Sequence, residues 1–247
     1  MMLKNKVSLI TGCNKGIGLS LLKKFSENGS DIICCARNKT EEFEKKVSEI
    51  SNKYKNKIYP VYFDLNNEDE ILKGIEKIIS LEKNIDTLVN NAGIDQISLF
   101  QMTPNKKIKE IFQVNFFSIL TLTRGISKIF IKNKKGSIIN ISSNASTECD
   151  AGRSIYSASK SALNSFTKSL SKELGNFNIR VNAIAPGLTN TKMIEKGLSK
   201  KILDETINKI PLKRVAEPDE VSNTAVFLAS DMSSYISGEI IFVTGGY

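Results

Sequence analysis

The chain has 247 residues and a mass of 27.4 kDa, with 40% hydrophobic and 25% charged residues, an ordinary composition for one globular domain. It contains no histidine, which excludes Ser-His-Asp and Cys-His nucleophile systems, histidine-ligated zinc and a histidine general base. The formal net charge is +9, but the lysines are scattered rather than clustered. We therefore predict no nucleic-acid partner, whereas an anionic ligand or an acidic protein fits the charge.

The cysteines and the N-terminus bear on the compartment. Four cysteines occur (Cys13, Cys34, Cys35 and Cys149), none of them in a C-x-x-C pair, and we expect reduced, partly buried thiols. The N-terminal residues lack the apolar region of a signal peptide, and no apolar run approaches the length of a membrane span. These observations predict a cytoplasmic protein with no membrane partner and no metal site.

Strand-like and helix-like patterns alternate along the whole chain. Strands are predicted at 7–10, 32–36, 58–63, 87–89, 137–141, 181–184 and 239–243. Helices are predicted at 17–28, 41–55, 68–81, 106–131 and 155–175, with a last helix beginning at Pro218. The strands read as continuous apolar runs, as in a parallel sheet covered on both faces. We predict an α/β fold: a single Rossmann-like domain over residues 1–247, with a doubly wound parallel sheet of about seven strands and helices on both faces. Residues 188–210 form a longer, more polar connection and are a candidate substrate lid.

A glycine-rich turn lies between the first strand and the first helix. Its sequence is T-G-C-N-K-G-I-G over residues 11–18. Gly12 permits a tight turn, Gly16 lets the backbone approach a pyrophosphate, and Gly18 permits close packing of helix on sheet. The helix N-terminus adds free N–H groups and the positive end of the dipole. This context predicts a nucleotide site.

The end of the second strand indicates which nucleotide is bound. NAD sites commonly carry an acid there, but this chain has Ala36-Arg37. Arg37 can pair with a 2′-phosphate and Lys15 adds a second cation, so we predict NADPH (NADP+) as the cofactor. The alternative is that both are solvated surface cations.

A Tyr–Lys pair, Tyr156 and Lys160, has the i, i+4 spacing that brings two side chains to one face of a helix. A Lys ammonium beside a phenol lowers the pKa of the Tyr, which makes it a usable general acid or base. Alone, such a pair is more often a core tyrosine beside a surface lysine. Here Ser143 lies 13 residues before the Tyr, after the fifth strand, and Asn115 lies on the preceding helix. Polar residues also follow the fourth and sixth strands, at the sheet edge where ligands bind.

Taken in order, these motifs resemble those of the short-chain dehydrogenase/reductase family over essentially the whole chain. The resemblance implies that Tyr156 protonates a substrate carbonyl oxygen, that Ser143 hydrogen-bonds this oxygen, that Lys160 binds the nicotinamide ribose and lowers the Tyr156 pKa, and that Asn115 anchors a water. It also implies that Asp64 contacts the adenine and Thr189 the carboxamide. The expected cofactor contacts are Gly12, Asn14, Lys15, Gly16, Ile17, Gly18, Arg37, Asp64, Leu65, Asn91, Ala92, Gly93, Tyr156, Lys160, Pro186, Gly187 and Thr189.

Within the family the chain is most similar to 3-oxoacyl-(acyl-carrier-protein) reductases, which implies a carrier-protein-bound substrate and a homotetramer. It departs from them at 94–97, at 150–155 and around 176–178, where a second basic residue for carrier docking is replaced; a basic run remains at 132–135. Arg153 is a candidate for holding an anionic group, and the alternative is a surface or interface cation. Two alternatives stay open. One is a reductase of a sugar, polyol or other small ketone, and the other is a non-catalytic NADP-binding protein.

Overall fold

Seven parallel strands form one sheet in the computed structural model, which describes residues 1–191 and 200–247. The strands are β1 (Val7–Thr11), β2 (Asp31–Ala36), β3 (Ile58–Tyr62), β4 (Thr87–Asn90), β5 (Gly136–Ile141), β6 (Ile179–Pro186) and β7 (Ile240–Val243). The helices are α1 (Gly16–Glu27), α2 (Glu41–Tyr54), α3 (Glu68–Ile79), α4 (Asn105–Phe112), α5 (Ser118–Asn133), α6 (Ala145–Glu148), α7 (Ser154–Leu174), α8 (Lys200–Lys209) and α9 (Pro218–Ala229), and a π-helical turn (Gln113–Phe117) joins α4 to α5.

The strand order is β3-β2-β1-β4-β5-β6-β7, and every neighbouring pair is parallel. The order reverses direction between β1 and β4, so a crevice opens beyond the carboxyl ends of these two strands. The predicted doubly wound, Rossmann-like sheet is confirmed. Its topology places the glycine turn after β1 beside the N-N-A-G run after β4.

The core lies on both faces of the sheet. One cluster packs α1, α2 and α9 against it, and its largest fully buried side chain is Phe25. The other cluster packs α3, α5 and α7 against the opposite face and contains Phe130. Because both faces are covered, the central strands β1, β4 and β5 are buried along almost their whole length, and short apolar stretches within them allowed their prediction.

Two helices begin where the sequence offers a capping side chain. At α2, Thr40 Oγ1 accepts a hydrogen bond from the Phe43 N–H at 3.3 Å. At α3, Asn67 Oδ1 accepts one from the Glu70 N–H, also at 3.3 Å. Both first turns carry acidic residues that complement the helix dipole. These local signals explain why the predicted starts of α2 and α3 agree with the structure.

Other boundaries differ from the prediction. The single helix predicted at 106–131 is interrupted by the π-helical turn, and β6 extends beyond the predicted 181–184 at both ends. The short helix α6 was not predicted, because four residues are too few for a periodic signal. Of the candidate lid at 188–210, residues 192–199 lie outside the described part of the chain, and α8 occupies most of the remainder.

One helical stretch, Asn105–Asn133, is long and apolar enough by composition to cross a membrane, and it is the one such helix among the described residues. The prediction that no apolar segment reaches this length was therefore wrong for this stretch, since polar residues interrupt it without lowering its average hydropathy below that of a span. The stretch packs against α3 and α7 and contributes to the core, so length and composition are weak evidence for a membrane span here.

Candidate active site

The glycine turn adopts a shape that glycine permits. Gly12 and Gly16 have φ values of +72° and +52°, in the left-handed region. The Gly12 N–H donates to the Cys35 carbonyl at 2.8 Å, which fastens the turn to β2. Helix α1 then begins at Gly16, and its N-cap residue, Lys15, makes no side-chain capping hydrogen bond. The first N–H groups of α1 are therefore left without a side-chain acceptor from the N-cap, as in sites that bind phosphate.

Gly18 makes the closest approach in this region. A Cβ at this position would lie 1.9 Å from the Gly12 carbonyl oxygen and 2.6 Å from Asn91 Nδ2. The turn thus folds directly onto the first turn of α1. No side chain can be accommodated unless the backbone moves.

The turn is held to the end of β4 by hydrogen bonds. Thr11 Oγ1 accepts from the N–H groups of Asn91 and Ala92, each at 3.0 Å. Asn91 Nδ2 donates to the Thr11 carbonyl at 2.8 Å. The two loops at the reversal of strand order are therefore one hydrogen-bonded unit. Thr11 is the first residue of the predicted turn motif, but its role in joining the two loops was not predicted.

Two of the predicted cofactor residues pair with each other beyond β2 and β3. Arg37 Nε lies 3.3 Å from Asp64 Oδ1, with the side chains 52% and 31% exposed. Asp64 Oδ1 also accepts from the Asn66 N–H at 2.9 Å, and the Leu65 carbonyl accepts from Gln113 at 3.4 Å. Because Arg37 remains about half exposed, its guanidinium can reach a solvent-side anion while Asp64 holds it.

Asn115 lies in the π-helical turn and is fully buried. Its Oδ1 accepts from the Ile94 N–H and its Nδ2 donates to the Ile94 carbonyl, both at 2.9 Å. Nδ2 also lies 3.2 Å from Ser159 Oγ on α7. π-Helical insertions commonly occur at functional sites. Here the insertion coincides with the residue that connects the loop after β4 to α7.

Lys160 is buried beside Asn115. Its Nζ donates to the Ile141 carbonyl at the end of β5, at 2.8 Å. A Cβ at Gly93 would lie 3.5 Å from this Nζ and 3.3 Å from Asn115 Oδ1, so glycine lets the loop after β4 approach both groups. Burial lowers the pKa of the Lys160 amine to about 8.

Tyr156 and Ser143 complete the cluster. The phenol of Tyr156 is buried, and burial raises its pKa to about 12, although the hydrogen bond with Ser143 acts in the opposite direction. The pKa of Tyr156 thus moves in the direction opposite to the one expected from a neighbouring ammonium, because burial is its largest cause and Lys160 is not among the groups that shift it. At neutral pH the Tyr156 hydroxyl is therefore protonated, which suits a proton donor.

The residues after β6 close the same side of the crevice. The Asn144 N–H donates to the Pro186 carbonyl at 2.9 Å, and Thr189 Oγ1 donates to the Gly187 carbonyl at 3.0 Å. A Cβ placed on Gly187 would lie 3.0 Å from the Thr244 Cα, so glycine lets this segment approach the residue after β7 closely. This segment therefore joins the loop after β5 to the end of β7.

These features together fit a dinucleotide cofactor. The glycine turn leaves room that a Cβ would fill, the first turn of α1 faces the crevice without a side-chain cap, and a half-exposed guanidinium lies beyond β2. The predicted residues fall into two groups in the fold. Arg37, Asp64 and Leu65 follow β2 and β3, whereas Ser143, Tyr156 and Lys160 lie at the end of β5 and on α7.

Three of the four cysteines are buried and one is exposed, and all are free among the described residues. Burial raises the pKa values of the Cys13 and Cys35 thiols well above the usual range. Cys13 lies in the glycine turn, where its Sγ donates to the Ile10 carbonyl at 3.1 Å. These thiols are protonated and act as small core side chains.

The chain is similar to known proteins over nearly its whole length. The family described as Enoyl-(Acyl carrier protein) reductase matches residues 12–247. The 3-oxoacyl-(acyl-carrier-protein) reductase FabG of Aquifex aeolicus (strain VF5) is 40% identical over 244 residues, 99% of this chain and 98% of that protein. The 3alpha-hydroxysteroid dehydrogenase of Mediterraneibacter gnavus is 38% identical over 246 residues, with coverage of 99% and 98%. A structure from Beutenbergia cavernae, named as an NAD(P)-dependent gluconate 5-dehydrogenase with NADP bound at low occupancy, has a TM-score of 0.92 at 27% identity and covers 99% of this chain and 97% of its own.

Proposed function

Because the chain belongs to the short-chain dehydrogenase/reductase family, whose members are oxidoreductases that use a nicotinamide cofactor, we propose that it reduces a 3-oxoacyl thioester to the 3-hydroxyacyl thioester with NADPH. The observation that carries the chemistry is a buried Tyr156, whose pKa burial raises to about 12, with the Lys160 Nζ 5.8 Å from the centre of its ring. The substrate class is supported by the relatives named as 3-oxoacyl-(acyl-carrier-protein) reductases, at 33–40% identity over nearly the whole chain.

The mechanism needs a proton donor and a nearby cation for the negative charge that the donor carries after it has lost its proton. Tyr156 donates its proton to the carbonyl oxygen, which Ser143 holds by a hydrogen bond. The bound nicotinamide supplies the hydride that reduces the carbonyl carbon. The Lys160 ammonium, 5.8 Å from the centre of the Tyr156 ring, is the neighbouring cation when the tyrosinate forms. Asn115, whose side-chain amide is held by the backbone N–H and C=O of Ile94, would position a water that returns a proton to this side of the site.

The cofactor would be held along the edge just described. The first turn of α1 and the glycine turn would bind the pyrophosphate, Arg37 a 2′-phosphate, and Asp64 with Leu65 the adenine end. Asn91, Ala92, Gly93, Pro186, Gly187 and Thr189 would line the nicotinamide side. Lys160, with a buried amine near the end of β5, would contact the ribose.

The family description and the relatives name different bonds. The description refers to an enoyl group, a carbon–carbon double bond, whereas the FabG relatives reduce a 3-oxo group. The Ser143 hydroxyl is among the groups that lower the pKa of the buried Tyr156 phenol, so the two hydroxyl groups are neighbours and both can serve a carbonyl oxygen. This arrangement favours carbonyl reduction, because the developing charge lies on oxygen.

A second candidate is reduction of a hydroxylated or alicyclic ketone. The names of the M. gnavus relative and of the B. cavernae structure point to a steroid and to gluconate respectively. The ion pair of Arg153 with Asp95, at 3.5 Å, also lies in the two segments that differ from the 3-oxoacyl reductases. The two candidates share the same proton donor and differ only in the pocket.

The test is steady-state NADPH oxidation by the purified protein with an acetoacetyl thioester, beside a panel of keto-sugars, steroid ketones and small ketones. We expect the thioester to have the highest kcat/KM. Thioester turnover would next be measured with substitutions in the exposed basic run 132–135, since an acidic carrier protein would contact it. Faster reduction of a keto-sugar or steroid than of the thioester would transfer the assignment to the second candidate.

Cofactor preference gives a separate prediction. Arg37→Asp removes a cation and places a carboxylate beside Asp64, which repels a 2′-phosphate. The ratio of kcat/KM for NADPH over NADH should fall at least about tenfold, the effect of losing one charge-assisted hydrogen bond of roughly 1.5 kcal/mol. Lys39→Asp makes the same charge change two residues away, at an exposed side chain paired with Glu44, and should leave the ratio unchanged. Equal ratios for wild type and Arg37→Asp would refute the NADPH assignment.

The assembly and location are also proposals. We propose a cytoplasmic homotetramer in which the helices that carry Asn115 and Tyr156 pack against their copies. Exposed apolar side chains on and near these helices support such a contact: Phe117 is 49% exposed and Phe100 is 61% exposed. Light scattering should give four times the chain mass. A monomer at micromolar concentration would contradict the tetramer.

A further inference from the structure

The segment after β6 runs from the nicotinamide side of the crevice to the glycine turn. This segment, residues 188–191, contains Thr189, which is 6% exposed. A Cβ placed on Gly16 would lie 3.2 Å from Thr191 Cγ2, so the far end of the segment contacts the turn after β1. The conformation of the 188–191 segment therefore affects both the carboxamide position and the turn proposed to bind the pyrophosphate.

A parallel bridge of one residue pair fastens this segment to the chain that precedes α9. Thr189 pairs with Ala216 in the bridge. The Asn190 N–H donates to the Ala216 carbonyl at 2.8 Å, and the Ala216 N–H donates to the Leu188 carbonyl at 2.9 Å. Two backbone hydrogen bonds thus hold the residues on either side of Thr189.

A side-chain hydrogen bond extends the bridge to α9 itself. Asn190 Nδ2 donates to Glu217 Oε1 at 3.1 Å, and Glu217 is the N-cap residue of α9. Helix α9 packs against α1 and the sheet as part of the core, so it is a fixed support. The 188–191 segment is therefore attached to a rigid element by both backbone and side-chain contacts.

Glu217 is held in place by an ion pair. Arg214 Nη1 and Nη2 donate to the two carboxylate oxygens of Glu220, both at 2.7 Å. Glu220 Oε2 also accepts from the Glu217 N–H at 2.8 Å. Exposed ion pairs fix little unless they are bidentate or part of a network, and this pair is both. The hydrogen bond from Arg214 lowers the pKa of the Glu220 carboxyl to about 2, so the pair is charged at neutral pH.

We propose that Glu217 and Asn190 are positioning residues for the bound cofactor: their hydrogen bond, braced by Arg214 and Glu220, keeps the 188–191 segment in the conformation that receives the nicotinamide half. The inference rests on the proposed function, in which this segment contacts the carboxamide. A segment already held in one conformation need not be ordered when the cofactor binds, so the affinity is not reduced by the population of other conformations. None of the four residues was predicted as a site residue.

Loss of either partner of this hydrogen bond should weaken the binding of NADPH but not of its adenine half. Glu217→Ala and Asn190→Ala should each raise the NADPH Kd about three- to tenfold, as expected for the loss of one hydrogen bond. Adenosine 2′,5′-bisphosphate lacks the nicotinamide, so its Kd should change less than about twofold. The double variant should bind NADPH as the single variants do, because both side chains act through one contact. Isothermal titration calorimetry gives both Kd values.

Three further variants separate positioning from a change of charge or a folding defect. Glu217→Gln keeps an oxygen acceptor and should restore the NADPH Kd to within about twofold of wild type, which it would not do if the charge alone mattered. Glu173→Ala removes the same charge at an exposed position near the end of α7 and should change neither Kd. Arg214→Gln should raise the NADPH Kd by a smaller factor than Glu217→Ala, because Glu220 still accepts from the Glu217 N–H. Asn190→Ala leaves α9 and its cap intact, so it tests the proposal even if Glu217→Ala does not fold.

Amide hydrogen exchange tests the brace without cofactor or substrate. The Asn190 and Ala216 amides should exchange faster in Glu217→Ala, whereas the Gly187 amide, which donates to the Val243 carbonyl at 2.9 Å, should keep its protection. If no carbonyl compound is reduced but NADPH binding weakens selectively as stated, the proposed function fails while the positioning role stands. An equal loss of affinity for NADPH and adenosine 2′,5′-bisphosphate, wild-type NADPH affinity in Asn190→Ala, or unchanged exchange of the Asn190 and Ala216 amides would overturn the proposal.

Discussion

Tyr156→Phe should lower kcat for carbonyl reduction by about 10²- to 10⁴-fold, the usual contribution of a positioned proton donor. The phenol is buried and its pKa is raised to about 12, so at neutral pH the hydroxyl is protonated and can donate its proton to the substrate oxygen. Phenylalanine keeps the ring and its packing. The loss should therefore fall on kcat and leave the fold intact.

The measurement is kcat and KM for the best carbonyl substrate, together with NADPH binding by fluorescence titration. Binding should change less than about threefold, because the proposed pyrophosphate and adenine contacts lie after β1, β2 and β3 rather than at Tyr156. Tyr235→Phe is the matched control, since that side chain is fully exposed and the same hydroxyl is removed there. Turnover within tenfold of wild type in Tyr156→Phe would show that another group supplies the proton.

The fold could be read from the sequence because its strands are buried on both faces. Residues 32–36 form an unbroken apolar run and Gly136–Ile141 is buried throughout, and the connections between strands are long enough for helices, which together favour parallel pairing. The topology also brings the carboxyl ends of β1 and β4 together where the strand order reverses, which is where the candidate site was expected. Periodicity and topology therefore account for most of the architecture.

The parts that the sequence missed depend on contacts between distant segments. The π-helical turn at Asn115 has no periodic signal, because it is held by the backbone N–H and C=O of Ile94 and by Ser159 on another helix. The raised pKa of Tyr156 also could not be predicted from a spacing of four residues. Helical spacing places the ammonium near the phenol, but burial of the phenol by the surrounding fold is the largest cause of the shift.

The same contacts join the cofactor edge to the catalytic cluster. Gly18 packs on the Gly12 carbonyl, Asn91 fastens that turn to the loop after β4, and Gly93 in this loop lies against Lys160 and Asn115. A displacement of the turn would therefore be transmitted to the catalytic groups through these three contacts. Of the residues in these contacts, Gly18 has the least space around it.

Gly18→Ala should abolish detectable NADPH binding and destabilise the protein by roughly 1–3 kcal/mol, the usual cost of forcing a methyl into a packed site. The added Cβ would meet the Gly12 carbonyl oxygen, a backbone atom, at 1.9 Å, and Asn91 Nδ2, which is held by its hydrogen bond to the Thr11 carbonyl, at 2.6 Å. Relief requires the turn to move away from α1, which removes the backbone N–H groups from the position that a pyrophosphate would occupy.

The matched control is Gly175→Ala, at the end of α7, where φ is −58° and a Cβ would meet no atom within 4 Å. This substitution should leave NADPH binding unchanged and raise the midpoint of urea unfolding slightly, because alanine restricts the unfolded chain more than glycine. Binding by isothermal titration and urea unfolding of both variants give the comparison. Wild-type NADPH affinity in Gly18→Ala would mean that the turn does not carry the phosphate contacts, and the cofactor assignment would then have to rest on Arg37 and the nicotinamide side alone.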